Sequence, residues 1–385
     1  MSETRLRIAE MTDFLQEAGP KSEALGRVTD EAATKLRESG IVRMLQPVEF
    51  GGQQVHPVEF FETVLDIGTQ AGSVGWVASV VGVHPWEIGQ VDLSVQEEIW
   101  GEDPDTWVAS PYAPMGRLKP VEGGYVCNGR WSFSSGTDHC SWIVLGAMIT
   151  DADGNVDRSQ GGRHIILPRS DYEIVADSWE VIGLEGTGSK DIVIKDTFIP
   201  DVRVFDPDRL VDHLADRGRD VALYRMPFAV MFSGAIACGS LAIAEGALRT
   251  FTDYARTRVD AKGTAASSNP HQLAALGEAS ADIAAGRLQF LNDINEIYKL
   301  AEKGADIPAS ARLEARRNQV RAVRRATTAV DALFQHAGGA ALRRDQPFQR
   351  FFRDLHAAQN HANNAAEPIY EGYGRNLFGL EIPAG

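Results

Sequence analysis

The sequence predicts an α+β fold in which a β-rich segment lies between two helical ones. Apolar residues recur every three or four positions near the start of the chain and again over its second half, whereas the segment between them contains short apolar runs separated by Gly-rich turns. No helical pattern of useful length interrupts this central segment, so we expect it to form a compact antiparallel barrel or sandwich. The expected domains are an N-terminal helical domain over residues 1–105, a central β-barrel over residues 106–205 and a C-terminal four-helix bundle over residues 206–385.

The composition indicates an acidic globular chain. Its 385 residues are 44% hydrophobic, which is enough for large cores. The 38 Lys and Arg residues against 53 Asp and Glu residues give a net charge of -15, which argues against nucleic acid as a partner. The 3 cysteines have no CxxC spacing, so neither a disulfide framework nor a metal site is expected.

The chain also lacks the patterns that direct proteins to membranes. No stretch approaches the roughly 18 uninterrupted apolar residues of a membrane helix. The first 30 residues are charged and periodic, unlike a signal peptide. We therefore expect no membrane association and a cytoplasmic location.

The N-terminal segment has a clear helical repeat. Leu25, Val28, Ala32 and Leu36 follow one another at three- and four-residue spacing. Gly40 follows where such a helix would end, because glycine readily adopts the left-handed conformation that closes a helix. The sequence therefore predicts a helix that runs through Leu36 and stops at Gly40.

A second N-terminal run, from Gly72 to Trp86, is apolar and rich in small residues, which is typical of a buried helix. Pro85 interrupts it, and His84 is its only ionisable side chain. A histidine in such a place can be a satisfied core residue. Its neighbour Trp86 and the Gly- and Ser-rich approach also make His84 a candidate for the wall of a pocket.

Six strands are predicted in the central segment, with turns at Gly123-Gly124, Asp153-Gly154 and Gly161-Gly162. The strands are Trp107 to Ser110, Tyr125 to Phe133, Trp142 to Ile149, His164 to Pro168, Ile174 to Val175 and Ile192 to Phe198.

The stretch from Tyr125 to Met148 carries the most chemistry. A polar turn, Ser134 to His139, joins an alternating strand to an apolar one, as in a hairpin. Serine, aspartate and histidine between tryptophans offer hydrogen-bonding groups and aromatic walls to a planar, polar, redox-active ring. An ordinary hairpin with a polar tip is the alternative. In the alternating strand Tyr125, Cys127, Trp131 and Phe133 share one face, and Asn128, Arg130, Ser132 and Ser134 share the other.

The glycine-rich segment from Gly183 to Ser189 is a weak nucleotide signature, because it lacks the lysine of a phosphate loop and does not open a helix. It can be a tight turn that offers backbone N–H groups and hydroxyls to the edge of a ligand. A plain turn of the barrel is the alternative.

Long helices return in the last part of the chain. Apolar residues at helical spacing mark three of them, which include Leu241, Leu276 and Leu313, and a fourth runs from Phe351 to Asn364. A glycine pair in the segment Gln335 to Leu342 follows the third helix and could simply cap it.

This order of segments, with a Gln-x-x-Gly-Gly turn late in the chain, resembles the acyl-CoA dehydrogenase fold over essentially the whole length. The details resemble the group D branch of that superfamily, the oxygenase components of two-component flavin-dependent monooxygenases, with the secosteroid phenol hydroxylase oxygenases nearest among them. The matching segments are Leu45 to Gly52, Gly72 to Trp86, Glu97 to Pro104, Ser110 to Gly116, Trp131 to Trp142, Val181 to Ser189 and Phe351 to Ala362.

The resemblance implies an enzyme that hydroxylates an aromatic small molecule such as a phenol, an indole or a polyketide-like compound. A separate NAD(P)H-dependent reductase would supply the reduced flavin, FMNH2 or FADH2, which would react with O2 to give a C4a-hydroperoxide. That species decays unless water is excluded and its N5 proton is held by a hydrogen bond. The resemblance also implies a homotetramer.

Site residues follow from the resemblance by position in the matching segments. Ser135 would contact flavin N5 from the Ser134-Ser135 turn, with Trp131 and Phe133 as walls of the ring and Thr187 and Ser189 on its polar edge. The phosphate or adenine side of the flavin would be held across a subunit boundary by Gln335, Gly338 and Gly339, with Arg256 or Arg258 paired to phosphate. The substrate would meet His84, Trp86, Tyr112 and His361.

The chain departs from that family near its C-terminus. Phenol hydroxylases of this branch carry a histidine there that helps to deprotonate the substrate, and Asn376 stands in its place. An amide cannot act as a base. Either His84, His361 or Asp138 takes the proton instead, or the substrate is an electron-rich ring that needs no deprotonation.

Glu371 supports a second interpretation. Its surroundings, Pro368 to Gly372, resemble the segment that holds the catalytic glutamate of acyl-CoA dehydrogenases, where a carboxylate removes the α proton of a thioester. Glu371 could equally be a solvent-facing residue near a chain end. A third interpretation, a helical scaffold that has lost its flavin, is disfavoured by the intact polar turn at Ser134 to His139.

Overall fold

The computed structural model describes residues 2–151, 153–259, 263, 265–304 and 306–382. A helical layer comes first in the chain, a β-sheet follows, and long helices complete the fold. The N-terminal helices are α1 (Glu3–Glu10), α2 (Thr12–Leu25), α3 (Asp30–Ser39), α4 (Pro57–Gln70), α5 (Gly72–Ile88) and α6 (Leu93–Trp100). The strands are β1 (Val108–Ala109), β2 (Gly116–Val121), β3 (Gly124–Ser134), β4 (Trp142–Ile149), β5 (Gly162–Pro168), β6 (Glu173–Val175), β7 (Lys190–Pro200) and β8 (Val204–Phe205). The C-terminal helices are α7 (Phe228–Thr257), α8 (Pro270–Glu302), α9 (Ala309–Ala337), α10 (Pro347–Gln359) and α11 (Ala366–Leu377).

The predicted stop at Gly40 is confirmed, but the predicted start of that helix is wrong. Gly40 adopts a left-handed conformation with φ of 84° and closes α3. Gly26, with φ of 69°, ends α2 directly after Leu25, and the side chain of Thr29 caps a new helix by accepting from the amide of Ala32 over 3.2 Å. One apolar repeat therefore covers parts of two helices.

The central strands form an open mixed sheet rather than the predicted antiparallel barrel. Their order is β6-β7-β3-β2-β4-β5-β8, with β1 paired to β4. The pairs β1 with β4 and β2 with β4 are parallel. Strand β2, which the apolar pattern did not mark, lies between β3 and β4, so the turn that follows Ser134 does not join neighbouring strands and the predicted hairpin is also wrong. The sheet ends at β6 and β8 and does not close.

The C-terminal part is a helical domain of five helices among the residues described, where four were expected. Helices α7, α8 and α9 pack against one another, α10 packs on α7 and α9, and α11 packs on α9. The extra helix begins at Ala366 and has few apolar residues in its sequence, which explains why the pattern did not mark it.

Helix α7 is the central helix of the core. It packs on α4, α5, α9 and α10. Within the described ranges it is the one helix that is long and apolar enough to cross a membrane, and 78% of its most apolar window is buried inside the fold. The sequence expectation that no such stretch exists is thereby corrected, because a core helix enclosed on several sides has the same composition as a membrane span.

Candidate active site

A cavity of about 830 Å³ lies where the sheet meets the helices. Trp76 and Val80 of α5 line one side, Phe232 and Ile236 of α7 line another, and the segment after α10 lines a third. The lining is mostly apolar with a small number of hydroxyl groups, and the volume is in the range of roughly 300–1,000 Å³ that is usual for ligand and cofactor sites.

The turn after β3 brings Ser135 into the wall of this cavity. Gly136 has φ of 74°, and a Cβ on it would lie 2.7 Å from Cγ1 of Val77, so the turn requires glycine at this position. The amide of Gly136 donates to the carbonyl of Thr187 over 2.9 Å. This bond ties the turn to the glycine-rich segment and sets Ser135 beside Ser189, with 2.9 Å between the two hydroxyl oxygens.

The hydrogen-bonding capacity of this edge is only partly used. Trp76 Nε1 donates to Ser135 Oγ over 3.2 Å, and Thr187 Oγ1 donates to the carbonyl of Leu184 over 2.8 Å. Two serine hydroxyls carry two protons, and the bond between Ser135 and Ser189 uses one of them. The other proton, together with lone pairs on Thr187, is left for a ligand in the cavity, and all three side chains line it. This edge of the cavity therefore both donates and accepts.

Phe133 lies in the cavity wall because β3 is irregular there, which the alternating sequence pattern could not predict. The register of β3 against β7 shifts between Trp131 and Ser134, and Phe133 has a left-handed φ of 71°. Its side chain is 68% exposed and meets the ring of Trp179 edge-on, with 6.2 Å between centroids. The predicted shared face of Trp131 and Phe133 is therefore wrong.

Trp131 and Ser134 lie outside the cavity lining, contrary to their predicted positions on the flavin. Trp131 is fully buried in the core, where its Nε1 donates to the carbonyl of Gly146 over 2.8 Å. Ser134 is also fully buried, because the strand irregularity turns its side chain inward. Asp138 is likewise outside the lining and pairs with Lys190 over 2.6 Å.

A loop of residues 181–187 covers part of the cavity and is held by α10. The amide of Leu184 donates to Asp354 Oδ1 over 2.6 Å, and Arg353 donates to the carbonyl of Ile182 over 3.0 Å. Complete burial raises the pKa of Asp354 to about 6, although the Leu184 amide acts in the opposite direction. The buried carboxylate therefore anchors the loop that carries Thr187.

A second polar cluster opens into the same cavity. Ser110 Oγ lies 2.9 Å from Nε2 of His84, and the hydroxyl of Tyr112 lies 2.9 Å from Nδ1 of the same ring. Tyr112 donates to Glu87, whose other carboxylate oxygen lies 2.7 Å from Nδ1 of His164. Ser110 and Tyr112 line the cavity, and His84 is buried behind them.

Burial determines the charge of His84. It lowers the pKa of His84 to about 3, with a further contribution from the nearby His164. The imidazole is therefore neutral at physiological pH. Sequence reasoning selected His84 and Tyr112 but missed Ser110, Glu87 and His164. The one available signal was Glu87, a carboxylate directly after an apolar helical run.

The other two residues predicted to contact the substrate, His361 and Trp86, lie in different surroundings. His361 lines the cavity, and its Nδ1 accepts from the amide of Asn363 over 3.1 Å. Burial, with a smaller contribution from the charge of Arg316, lowers the pKa of His361 to about 4. Trp86 is buried away from the lining, and its Nε1 donates to the carbonyl of Leu223 over 2.8 Å. Trp86 is therefore a core residue in this fold, because its indole points to the segment before α7.

The remaining predicted residues do not meet the cavity of this chain. Glu371 and Asn376 lie on α11, where Glu371 is exposed and pairs with Arg375 over 2.9 Å. The carboxylate of Glu371 therefore cannot act as the base for a thioester bound in the cavity of its own chain.

A second group of predicted residues lies at the C-terminal end of α9. Gln335, Gly338 and Gly339 are exposed there, Arg258 donates to the carbonyl of His336 over 3.1 Å, and Arg256 pairs with Asp253 over 3.2 Å.

An open mixed sheet beside a body of N- and C-terminal helices, with a hydroxyl-edged cavity where they meet, defines the class of protein as one with the acyl-CoA dehydrogenase fold. The family described as "Acyl-CoA dehydrogenase, C-terminal domain" matches residues 234–365. The chain is 45% identical over 377 residues to the pigment production hydroxylase of Rhodococcus erythropolis, covering 97% of this chain and 96% of that protein. It is 39% identical over 381 residues to the oxygenase subunit HsaA of a flavin-dependent monooxygenase of Rhodococcus jostii, covering 98% of each.

Solved structures of similar fold indicate the same family as these relatives. The crystal structure of 3-HSA hydroxylase from Rhodococcus sp. RHA1 has a TM-score of 0.93 at 37% identity and covers 100% of this chain and 98% of its own. XiaF from Streptomyces sp., solved with FADH2 and glycerol, has a TM-score of 0.92 at 25% identity, covering 100% of this chain and 96% of its own. The chain belongs to the two-component flavin-dependent monooxygenases of the acyl-CoA dehydrogenase family. It is the oxygenase component, which uses reduced FAD or FMN and O2 to hydroxylate aromatic compounds, and a flavin reductase is its partner. The predicted family, activity and cofactors are confirmed.

Proposed function

We propose that the substrate is a phenol, and that its hydroxyl binds to the Ser110–His84 pair while reduced flavin binds along Ser135, Ser189 and Thr187. The observation that carries this proposal is that two polar clusters open into one otherwise apolar cavity. Two relatives act on phenols by name. They are the oxygenase components of p-hydroxyphenylacetate 3-hydroxylase from Acinetobacter baumannii, 31% identical, and of a resorcinol hydroxylase from Rhizobium sp., 30% identical.

The serine edge suits the hydrogen-bonding pattern of a reduced flavin ring. When Ser135 donates to Ser189 and accepts from Trp76, one lone pair of Ser135 is left to accept from a ring N–H, and the proton of Ser189 is left for a ring acceptor. Phe133 and Trp179 would lie against the ring. The bound reduced flavin supplies the electrons that activate O2, so that one oxygen atom enters the substrate and the other leaves as water.

The second cluster suits a phenolic hydroxyl. Ser110 lies on the cavity surface, and neutral His84 behind it accepts a hydrogen bond without adding a charge. Phe232 and Tyr112 would pack against the substrate ring. His361 lies in the wall and would contact substrate or flavin from the α10 side.

We further propose that the enzyme is a homotetramer in which the α9 end of one subunit completes the flavin site of another. Gln335, Gly338 and Gly339, with Arg256 or Arg258, would hold the phosphate or adenine side there, and Asn376 would approach from the exposed α11. The exposure of large apolar side chains beside these groups supports burial in an assembly, with Phe378 83% exposed. Light scattering on the purified protein tests the tetramer, and a dimer or monomer would contradict it.

We propose a cytoplasmic location, where the reductase and NAD(P)H are available. The three cysteines, all within the described residues, are buried free thiols, as is usual in a reducing compartment. Cell fractionation tests this location.

The substrate assignment is tested by comparing phenols with their methyl ethers. Purified protein, an NAD(P)H-dependent flavin reductase, FMN or FAD and O2 are supplied with resorcinol, 4-hydroxyphenylacetate or their O-methylated forms. We expect ring hydroxylation of at least one phenol and none of its ether, because the ether cannot donate to Ser110. Equal hydroxylation of both, or turnover of indole supplied in a parallel reaction when no phenol is hydroxylated, would contradict a phenol-binding role for Ser110 and His84.

A further inference from the structure

The polar cluster behind the cavity is a continuous chain of hydrogen bonds between five side chains. It runs from Ser110 on the cavity surface through His84 and Tyr112 to Glu87, and His164 holds the far side of the carboxylate. Glu87 and His84 are fully buried, and His164 is 7% exposed. The side chains between Glu87 and the cavity can each give and take a proton. They therefore connect a buried carboxylate to the ligand site, which packing alone does not require.

The number of protons on each side chain determines which partner donates in each of these hydrogen bonds. Tyr112 has one hydroxyl proton and donates it to the Glu87 carboxylate, so its oxygen accepts from Nδ1 of His84. A neutral imidazole has one N–H, which leaves Nε2 of His84 as an acceptor for the hydroxyl of Ser110. The lone pairs of Ser110 then face the cavity. In this series of hydrogen bonds, every donor therefore points away from the cavity and toward Glu87.

We propose that Tyr112 and Glu87 complete a proton relay, in which the phenolic proton of the substrate passes through Ser110, His84 and Tyr112 to the Glu87 carboxylate. The proposal rests on the phenol-binding function proposed above and supplies the base that Asn376 cannot provide. The hydroxyl of Ser110 touches the phenolic hydroxyl, whereas the hydroxyl of Tyr112 and the carboxylate of Glu87 act through Ser110 and His84.

The proton balance of the relay is complete. The phenol loses its proton to Ser110 Oγ, the serine proton moves to Nε2 of His84, the proton on Nδ1 moves to Tyr112, and the tyrosine proton moves to Glu87. Ser110, His84 and Tyr112 end neutral, His84 with its proton on the other nitrogen, while Glu87 becomes a neutral acid. The net charge of the enzyme–substrate complex is unchanged, because the proton that the substrate loses is balanced by the one that Glu87 gains.

The timing of the transfer follows from the chemistry of the ring. A phenol at rest is a weaker acid than a carboxylic acid, so the relay has little tendency to ionise it beforehand. As an electrophilic oxygen adds to the ring, positive charge develops on the phenolic oxygen and its proton becomes strongly acidic. Transfer to Glu87 is then favourable, and the relay acts as a general base in the transition state. The low pKa of His84 agrees with a residue that passes a proton on and does not store it.

The surroundings keep the relay dry. The ring of Tyr112 packs on Phe232 at 4.5 Å and on Phe228 at 5.2 Å between centroids. His84, Tyr112 and His164 are the titratable groups that face Glu87 in this part of the described structure. Nδ1 of His164 donates to Glu87 and fixes the orientation of the carboxylate, and the small exposed part of His164 places it nearest to solvent among the buried members.

The relay is tested with Tyr112→Phe and Glu87→Gln, which keep the shape of each side chain and remove its ability to pass a proton. The matched control is Tyr172→Phe, since Tyr172 is another buried tyrosine of the central segment and lies outside both the cavity lining and the relay. Single-turnover hydroxylation is measured with substituted phenols of decreasing pKa, and flavin affinity is measured separately.

We expect both relay variants to hydroxylate the least acidic phenol roughly 100-fold more slowly than the unaltered enzyme. This loss of hydroxylation rate should be smaller for more acidic phenols and at higher pH. Flavin affinity should be unchanged in the relay variants, and Tyr172→Phe should hydroxylate all phenols at the rate of the unaltered enzyme. An equal loss for all phenols, or no loss, would overturn the relay and leave the phenol assignment intact. Failure of the unaltered enzyme to hydroxylate any phenol would instead overturn the proposed function and the relay together.

Discussion

Asp354 Oδ1 accepts a hydrogen bond from the amide of Leu184 over 2.6 Å, and this bond joins helix α10 to the loop that covers the cavity. The carboxylate is fully buried, and Ser73 Oγ lies 3.4 Å from its other oxygen. The loop bears Thr187 next to Ser135, so the anchor acts on the hydroxyl edge of the cavity, where we propose that the flavin binds, from a residue that does not line the cavity.

This anchor makes the stability of the enzyme depend on pH. The pKa of Asp354 is raised to about 6 in the fold, whereas an aspartate in the unfolded chain titrates near 3.9. The stabilising effect of its protonation is therefore fully present below about pH 4 and is lost as the pH rises through about 6, with an upper limit of about 3 kcal/mol. Asp354→Asn keeps an acceptor for Leu184 and removes the titration.

Urea unfolding of both proteins between pH 4.5 and pH 7.5 measures this effect. The free energy of unfolding of the unaltered enzyme should fall relative to that of Asp354→Asn as the pH rises. A difference between the two proteins that does not change with pH would mean that Asp354 is ionised throughout this range.

Ser135→Ala should uncouple the enzyme. The substitution removes the hydroxyl that we assign to the ring N–H of the reduced flavin and leaves Trp76 Nε1 without its acceptor. We expect more hydrogen peroxide and less hydroxylated product for each flavin consumed, with a drop in coupling of several-fold. The control is Ser134→Ala, since the adjacent Ser134 is buried outside the cavity lining. Unchanged coupling in Ser135→Ala, or the same loss in both variants, would remove Ser135 from this role.

Gly136→Ala should be strongly destabilising. An alanine there would adopt a left-handed φ of 74°, and its Cβ would lie 2.7 Å from Val77. Gly123→Ala is the matched control, because Gly123 has φ of 76° and open space around its Cβ. The control should lose about 1–2 kcal/mol of stability from backbone conformation alone, and Gly136→Ala should lose about 1–3 kcal/mol more from overpacking. Chemical unfolding of both variants measures the difference, and equal losses would show that the turn can move away from Val77.

His84→Ala should abolish most hydroxylation without affecting the flavin. The ring of His84 bonds Ser110 and Tyr112 and does not itself line the cavity. We expect product formation to fall roughly 100-fold or more, as for loss of a general base. Titration with reduced flavin under anaerobic conditions checks that flavin affinity is unchanged. Loss of flavin binding would mean that His84 belongs to the cofactor end of the cavity.

The sequence predicted well what depends on local patterns. The order of helical and β-rich segments and the family follow from apolar periodicity and from segments such as Trp131 to Trp142. Strand β2 was missed because Lys119 and Pro120 separate its two large apolar residues and leave no apolar run. Without β2 the flanking strands look like a hairpin, which in turn suggested an antiparallel barrel. The domain boundaries at residues 105 and 205 stay predictions.

The site was harder to predict, because its parts meet only in three dimensions. The register shift in β3 reverses the faces of Phe133 and Ser134, and a backbone irregularity of one residue has no periodic signature. Glu87 and His164 are 77 residues apart in the chain, yet they share a hydrogen bond. Hydroxyl groups such as Ser110 are common on any surface, and only their position beside a buried histidine distinguishes this one.

The central claim is that one cavity aligns a reduced flavin at Ser135 with a phenol at Ser110. The most direct measurement mixes the purified enzyme, loaded anaerobically with reduced FMN or FAD and resorcinol, with buffer containing 18O2 and follows a single turnover by mass spectrometry. We predict ring-hydroxylated product with one 18O atom for most of the flavin oxidised, and loss of that product in His84→Ala. Oxidation of the flavin with hydrogen peroxide as the only oxygen product, for resorcinol and for every other phenol supplied, would contradict the claim.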